Sequence, residues 1–565
     1  MTPTPSARRN PALCFAAAAV LVSGLSSCSG GDAPPLEDAP EVLLGERLFL
    51  ETRFAQYFAA NHVGVNEPLP VGDPAVDTLM TPSGPIPGPF AGRSMSCRQC
   101  HLVDDAVDIP GGISSTYADF AARSPVSARS DGQTTTPRNS PPLVNASLSR
   151  STPFLLHFDG QFATGVDLVR ATLAGRNFGW LPGERAQAVA HVAAVVRGDD
   201  GSDLFAEVTG GLSYARLFES DVAFVPYEFR LPPALRLDVQ AATDEEIFDA
   251  VATLIDAYVA QIEFSRDENG DFNGSPFDAF LRKNGLPLRP NEGESDLDYS
   301  RRLRAETQAL VAPQFVVPSE GELLLHDGQP FEFGATELQG LLTFLSEPSA
   351  TPPTPGELAA GGIGNCVACH AGPQFTDFLA HNVGSAQEEY DSVHGAGTFA
   401  VLSVPNLAAR ALDEATFLPA SHDHPTRLGV FRRPPTAGQP QWADLGAWSV
   451  FGDADEPGPQ SALHEVVARA HGLDAMTLTA TQALDLSLAM FKTPGLRSLG
   501  QGGPYFHTGR FATLTAVVQH YLAFSGAARA SAVRNADPQL GNIAITGGDV
   551  APLVAFLRSL NEDYQ

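Results

Sequence analysis

The chain lacks four things: a long apolar run, positive charge, alternating strand-like patterning and spare cysteines. A membrane-crossing helix needs about 20 consecutive apolar residues. The stretch 12–25 falls short of that, and the later apolar segments are amphipathic, so no transmembrane span is expected. Thirty-five Lys and Arg against 65 Asp and Glu leave a net charge of −30. That balance argues against a nucleic-acid or anionic-membrane surface; it suits a basic electron-donor protein, and solubility explains it equally well. Few runs alternate apolar and polar residues, so the chain should be mainly α.

What is present points to an exported chain with two domains. Arg8 and Arg9 precede the apolar stretch, which ends Leu25-Ser26-Ser27-Cys28. This looks like a bacterial lipoprotein cleavage box, with residues 1–27 as signal peptide and Cys28 as the lipidated first residue. A plain signal peptide cut nearby is the alternative. The expected location is therefore the periplasm-facing side or the cell surface, with Ser29 compatible with the outer membrane. At 565 residues the chain exceeds one ordinary core. Gly (52) and Pro (46) are abundant enough to predict long irregular insertions. We read a linker at 28–45, a first domain at 46–335 and a second at 336–565.

Six cysteines become informative once the leader is set aside. Cys14 leaves with the signal and Cys28 would carry lipid, so Cys97, Cys100, Cys366 and Cys369 remain, and none is left for a disulfide. Residues 97–101 read Cys-Arg-Gln-Cys-His and residues 366–370 read Cys-Val-Ala-Cys-His. Thiols one helical turn apart can form thioethers to the two vinyl groups of one porphyrin, and the adjoining His101 or His370 then serves as proximal iron ligand. Zinc sites place their C-x-x-C pairs about 15–20 residues apart, and a thioredoxin-like pair needs a βαβ context that neither flank supplies. Two covalently bound haems c, one per cytochrome c-like domain, follow.

Helical periodicity frames these motifs. An amphipathic start, Leu44-Gly-Glu-Arg-Leu-Phe-Leu50, leads to the first. Over 243–264, Thr243 and Glu246 form a capping box, and Ile247, Val251, Leu254, Ile255, Tyr258 and Ile262 make one apolar face. Residues 265–335 should connect the domains. Thr336 and Gln339 should cap a helix over 336–346, and a closing helix is expected at 550–560. Asp267, Asn269, Asp271 and Asn273 alternate like the start of a calcium loop, but Phe272 stands where the EF-hand turn needs Gly and Asp278 where it needs Glu. A solvated turn is the expectation there.

At this point the chain resembles the bacterial di-haem cytochrome c peroxidase/MauG family over most of its mature length. The matching segments are Cys366-Val-Ala-Cys-His-Ala-Gly-Pro-Gln-Phe-Thr-Asp377, His381-Asn-Val-Gly384, Phe491-Lys-Thr-Pro-Gly-Leu-Arg497 and Pro504-Tyr-Phe-His-Thr-Gly509, with Arg138-Asn-Ser-Pro-Pro-Leu-Val-Asn145 and Phe158-Asp-Gly160 matching less closely. The resemblance implies a peroxidase-like oxidoreductase in which electrons from a small cytochrome c or cupredoxin enter at the C-terminal haem, pass to the N-terminal haem and reduce hydrogen peroxide. It implies a sixth ligand to the second iron fourteen positions after His507. That position is Tyr521, as in the MauG pattern; Tyr521 also fits an apolar helical face, and its neighbour His520 is an alternative. It implies a calcium ion between the domains, held by Asn139 and the carbonyls of Gly502 and Pro504.

The departures lie at the first haem. No histidine stands between His101 and His157 to match the family's distal one. Phe158 replaces the usual inter-haem Trp, with Trp180 a conceivable substitute. The catalytic Glu has no clean match, and Glu184 is the nearest candidate. MauG-like or oxygenase-like oxidation of an organic or protein substrate is the second reading, and a non-enzymatic di-haem electron carrier the third.

Overall fold

The computed structural model describes residues 38–81, 84–87, 91–101, 123–148, 150–318, 329–497, 499 and 503–562. The leader, Cys14, Cys28 and Gly502 lie outside them. By its contacts Ala39–Gln565 forms one unit, and the account below concerns that unit alone.

Two crossed helix pairs carry the architecture. Helix α1 (Pro40–Leu50) opens on Pro at its first turn, where the missing N–H costs nothing, with Glu41 beside it. It packs across α4 (Asp244–Gln261), whose Thr243–Glu246 capping box is as the sequence predicts. The crossing is made at Gly45, where a Cβ would stand 2.1 Å from the Leu254 carbonyl oxygen. The second pair repeats the device. Helix α7 (Ala335–Phe344) crosses α9 (Val550–Arg558) at Gly340, where a Cβ would stand 1.9 Å from the Pro552 carbonyl oxygen. In each pair one C-x-x-C-H segment lies between the two helices in the sequence.

Helices α2 (Gly165–Leu173) and α3 (Arg185–Gly198) pack on α4 to complete the first core, which includes Leu48, Phe49, Val192, Val196, Phe248 and Val251. Strands are few among the described residues: a hairpin pairing Thr78–Thr81 with Gly84–Pro87, and a two-residue pair of Ala380–His381 with Phe491–Lys492. A third core of residues from 380–491 gathers around the buried Trp448 and takes in Leu155 from the N-terminal half.

Several expectations need correction. Residues 40–45 are helical, and Val42 and Leu44 are buried, although they fall inside the stretch read as linker. The segment 265–335 is more than a connection. Its helices α5 (Pro276–Lys283) and α6 (Asp296–Gln308) insert Phe277, Phe280, Leu281, Tyr299 and Leu303 into the core around α7 and α9. Their apolar residues are too sparse in sequence to advertise this, because long charged stretches separate them. The cap of α7 is Gly334 with Glu337, two residues earlier than Thr336 with Gln339, since the Glu337 carboxylate accepts from the Gly334 N–H at 2.8 Å. The Asp267 loop is a closed turn: Asp267 accepts the backbone N–H groups of Asn269 and Asp271, and Arg282 and Arg289 pair with Asp267 and Asp271.

Candidate functional site

Between these cores lies one continuous cavity of about 500 Å³ with a mostly apolar wall. Cys97, Cys100, His101, Cys366, Cys369 and His370 all line it. None of these four cysteines is in a disulfide. Burial pushes the thiols of Cys97 and Cys366 up to about 12. His370 has its Nδ1 on the Phe375 carbonyl at 2.8 Å, which fixes the ring and leaves Nε2 for a metal. Burial draws the His101 imidazole down to about 4, the neutral form a ligand needs.

Tyr521, on helix α8 (Leu514–Arg529), lines the cavity, and burial first, then the nearby cysteine sulfurs, raise its phenol. His520 turns away: its Nε2 meets the Val383 carbonyl at 2.9 Å, and its ring stacks on Phe524. The structure also brings Asn139 to Pro504. The Asn139 side-chain amide donates to the Pro504 carbonyl at 2.6 Å, while its Oδ1 is buried without a hydrogen-bond partner.

Glu184 is a correction. It lies outside the cavity wall, ion-paired to Arg129 at 2.5 Å and capping the turn at the Leu181 N–H. A glutamate three residues into a Leu-Pro-Gly turn satisfies a local backbone donor, and that local bond holds it away from the cavity. Trp180 is likewise absent from the wall; it is buried in the first core with its indole N–H toward the Phe54 carbonyl at 3.4 Å.

Phe158 does reach the cavity, and there it meets a group that motif reading treated only as a landmark. The His507 ring stacks on Phe491 at 3.6 Å and 10°, with Phe158 against it at 6.4 Å. His507 is 3% exposed, and burial takes it down to about 3, so it is a neutral imidazole.

No family model matches the chain, and no curated protein matches it. Solved structures do. The chain is similar to the diheme peroxidase BthA from Burkholderia thailandensis, at 17% identity over 94% of this chain and 89% of that one, with a TM-score of 0.41. It is also similar to a MauG-like protein associated with microbial copper homeostasis, at 16% identity over 94% and 92%, with a TM-score of 0.40. At this level of likeness the chain's function has to be read from its own cavity.

That cavity holds further polar groups invisible to motif reading. Asp256, on α4, lines the wall among Leu168, Val169, Thr172 and Asn177, and burial alone raises its carboxyl. Gly165 makes the space: a Cβ there would fall 1.7 Å from the Asp256 carboxylate. His157, in a left-handed backbone conformation (φ 63°), is drawn down to about 4 by burial. The basic side chains of Arg150 and Lys492 stand on the same wall, and burial draws them down to about 10 and about 7. Periodicity assigns such residues to core or solvent, and only the fold shows a third environment, an interior wall.

Proposed function

We propose that the chain is a di-haem c-type oxidoreductase of peroxidase type, reducing hydrogen peroxide to two waters with two protons and two electrons from a small donor protein. The observation that carries this reading is the convergence of both C-x-x-C-H sets on one apolar cavity. The residues fit the group: Cys97 and Cys100 would anchor one porphyrin and Cys366 and Cys369 the other, with His101 and His370 as proximal ligands. When bound, haem c supplies one-electron chemistry and a coordination position that peroxide can enter.

The chain's own residues divide the remaining work. Asp256 is the carboxyl able to hold and release a proton on the wall near the first motif, taking the role expected of Glu184. The neutral imidazoles of His157 and His507 add no charge of their own to the wall. The apolar wall excludes bulk water and strengthens each electrostatic contact. Phe158, edge-on to the His507 ring that stacks on Phe491, would take the part of the family's inter-haem aromatic. Asn139 and the Pro504 carbonyl would hold a calcium ion; with the Asn139 amide turned over, Oδ1 and the carbonyl would face a cation together. Export and a lipid anchor at Cys28 belong to the same proposal, as does electron entry at the second haem.

A second reading, oxidation of an organic or protein substrate, is favoured by one observation, the place of the Tyr521 phenol on the wall, where it would offer a hard oxygen donor to the second iron. The test begins with the mass and haem content of the mature protein. It continues with peroxide-dependent oxidation of reduced cytochrome c by the half-reduced form. Two haems and steady turnover are expected; two haems without turnover would sink the peroxidase reading. Trapped oxidising equivalents that act on an organic donor would then support the second reading, and a failure to bind CO or cyanide would leave an electron carrier.

A further inference from the structure

Two basic side chains stand in the cavity wall with no carboxylate among the described residues to match them. Most other buried guanidinium groups here are paired: Arg47 with Asp199, Arg138 with Asp444 and Asp159, Arg497 with Asp278. Arg150 and Lys492 differ. The Arg150 guanidinium sits between the rings of Phe154 and Phe378, 4.2 and 4.4 Å from their centroids. It donates to the Ala146 carbonyl at 3.3 Å, and its Nε is buried without a hydrogen-bond partner. The Lys492 ammonium reaches the Leu155 carbonyl at 3.3 Å. No carboxylate among the described residues acts on either; the charge that bears on Lys492 is the like charge of Arg150. An unpaired buried ion costs several kcal/mol, and two neighbouring cations add repulsion.

Their backbone positions are fixed from both halves of the chain. The Lys492 N–H donates to the Phe158 carbonyl at 2.7 Å, and its strand pairs with Ala380–His381. Phe378, against Arg150, follows Asp377, whose N–H donates to the Cys369 carbonyl at 2.9 Å. The two cations therefore sit at the seam between the first-motif segment 150–158 and the second-motif segment 369–381.

We infer that Arg150 and Lys492 form an anion site for the carboxylates of a bound tetrapyrrole. This rests on the haem reading above. Each haem carries two propionate carboxylates, and they are anions that arrive with the cofactor instead of being encoded in the sequence. Binding them removes the unpaired state of both cations. It also places positive charge beside one haem, which favours that iron's reduced form and raises its potential.

The test uses mature holoprotein: wild type, Lys492→Met, Arg150→Met, Lys492→Arg and Arg150→Lys. Haem content is measured first, then the midpoint potentials by optical titration and the propionate bands by resonance Raman. Each Met variant should lower the potential of the same single haem and displace its propionate bands. The Arg and Lys exchanges should hold the potential but still displace the bands, because ammonium and guanidinium bond a carboxylate differently. These exchanges keep the test available if a Met variant fails to mature. Bands unmoved in the exchanges, or potentials and bands unmoved in both Met variants, overturn the inference while two haems remain in place. A wild-type protein without haem overturns the underlying reading as well, so the two failures are distinguishable. The haem whose potential moves is the one whose carboxylates are held.

Discussion

Asp256 shows how one glycine can define the role of a distant side chain. On α4 its neighbours Ile255 and Leu254 are core, and the helical face alone would mark Asp256 as a solvated residue. The absence of a side chain at Gly165 lets its carboxylate stand on the cavity wall. General acid–base groups contribute about 10²–10⁴-fold to rate. Asp256→Asn should thus lower kcat/KM for peroxide by about 10²-fold and remove the acidic limb of its pH profile, with the optical spectra of both haems unchanged. Gly165→Ala, which fills the space from the opposite side, should act in the same direction. Unaltered turnover in Asp256→Asn would end its claim. Glu562 gives a second prediction at this scale. Burial, opposed by the Ser265 N–H and by Arg497, lifts its carboxyl to about 7 from an ordinary value near 4.5. Between those values the folded chain holds a proton that the unfolded chain has released. Raising pH through that window therefore weakens the fold. Glu562→Gln should move the urea midpoint upward at pH 8 and leave it nearly unchanged at pH 4; equal shifts at both would mean the charge is not the cause.

At the scale of elements, the two glycine crossings decide how closely α1 meets α4 and α7 meets α9. Replacing a helix-interior glycine by alanine favours the helix by about 1 kcal/mol. Overpacking costs about 1–3 kcal/mol, and a Cβ 1.9–2.1 Å from a carbonyl oxygen cannot be relieved by a side-chain rotation. The steric effect wins, so Gly45→Ala and Gly340→Ala should each destabilise by about 2 kcal/mol, read as a lower urea midpoint at constant slope. A neutral or stabilising result would show that the helices slide apart freely. These crossings also mark the limit of what was legible. The apolar stripe of α4, its capping box and both C-x-x-C-H segments stand in the sequence because they are local patterns. That Gly45 and Gly340 are contact points, and that α5 and α6 complete the second core, are long-range facts. Glu184 stands outside the wall for the same reason: the order of residues in a chain does not say which side of a turn faces a cavity. Tyr521 and Asn139 were singled out because motif spacing fixed their positions, whereas Lys492 stood inside a motif without its charge being weighed.

Across the whole molecule, the halves that carry the two motifs are joined by a buried ion cluster as well as by the cavity. Arg138, 8% exposed, makes a bidentate contact to Asp444 at 2.6 and 2.7 Å and a second ion pair to Asp159 at 2.5 Å. Arg432 adds a further contact to Asp159 at 2.9 Å. Burial works against the Asp159 carboxylate, but Arg138 and then Arg432 hold it well below the usual range. The cluster therefore links the loop after the first motif and the Phe158-Asp-Gly segment to Arg432 and Asp444, which flank Phe431, Ala443 and Leu445 of the third core. Arg138 is also next to Asn139, whose backbone N–H donates to the His507 carbonyl at 2.8 Å. Loss of the guanidinium would strand Asp444 without its cation and loosen the wall that carries His507. Breaking one partner of such a buried pair costs about 3–5 kcal/mol. Arg432→Met should cost less, since Asp159 keeps Arg138 and the Arg432 side chain is 18% exposed. Arg138→Met should thus lower the unfolding midpoint more than Arg432→Met, and only the former should alter the optical signatures of both haems together. If the two variants unfold alike and neither disturbs the haems, the cluster does not hold the halves together and they are joined by the cavity lining alone.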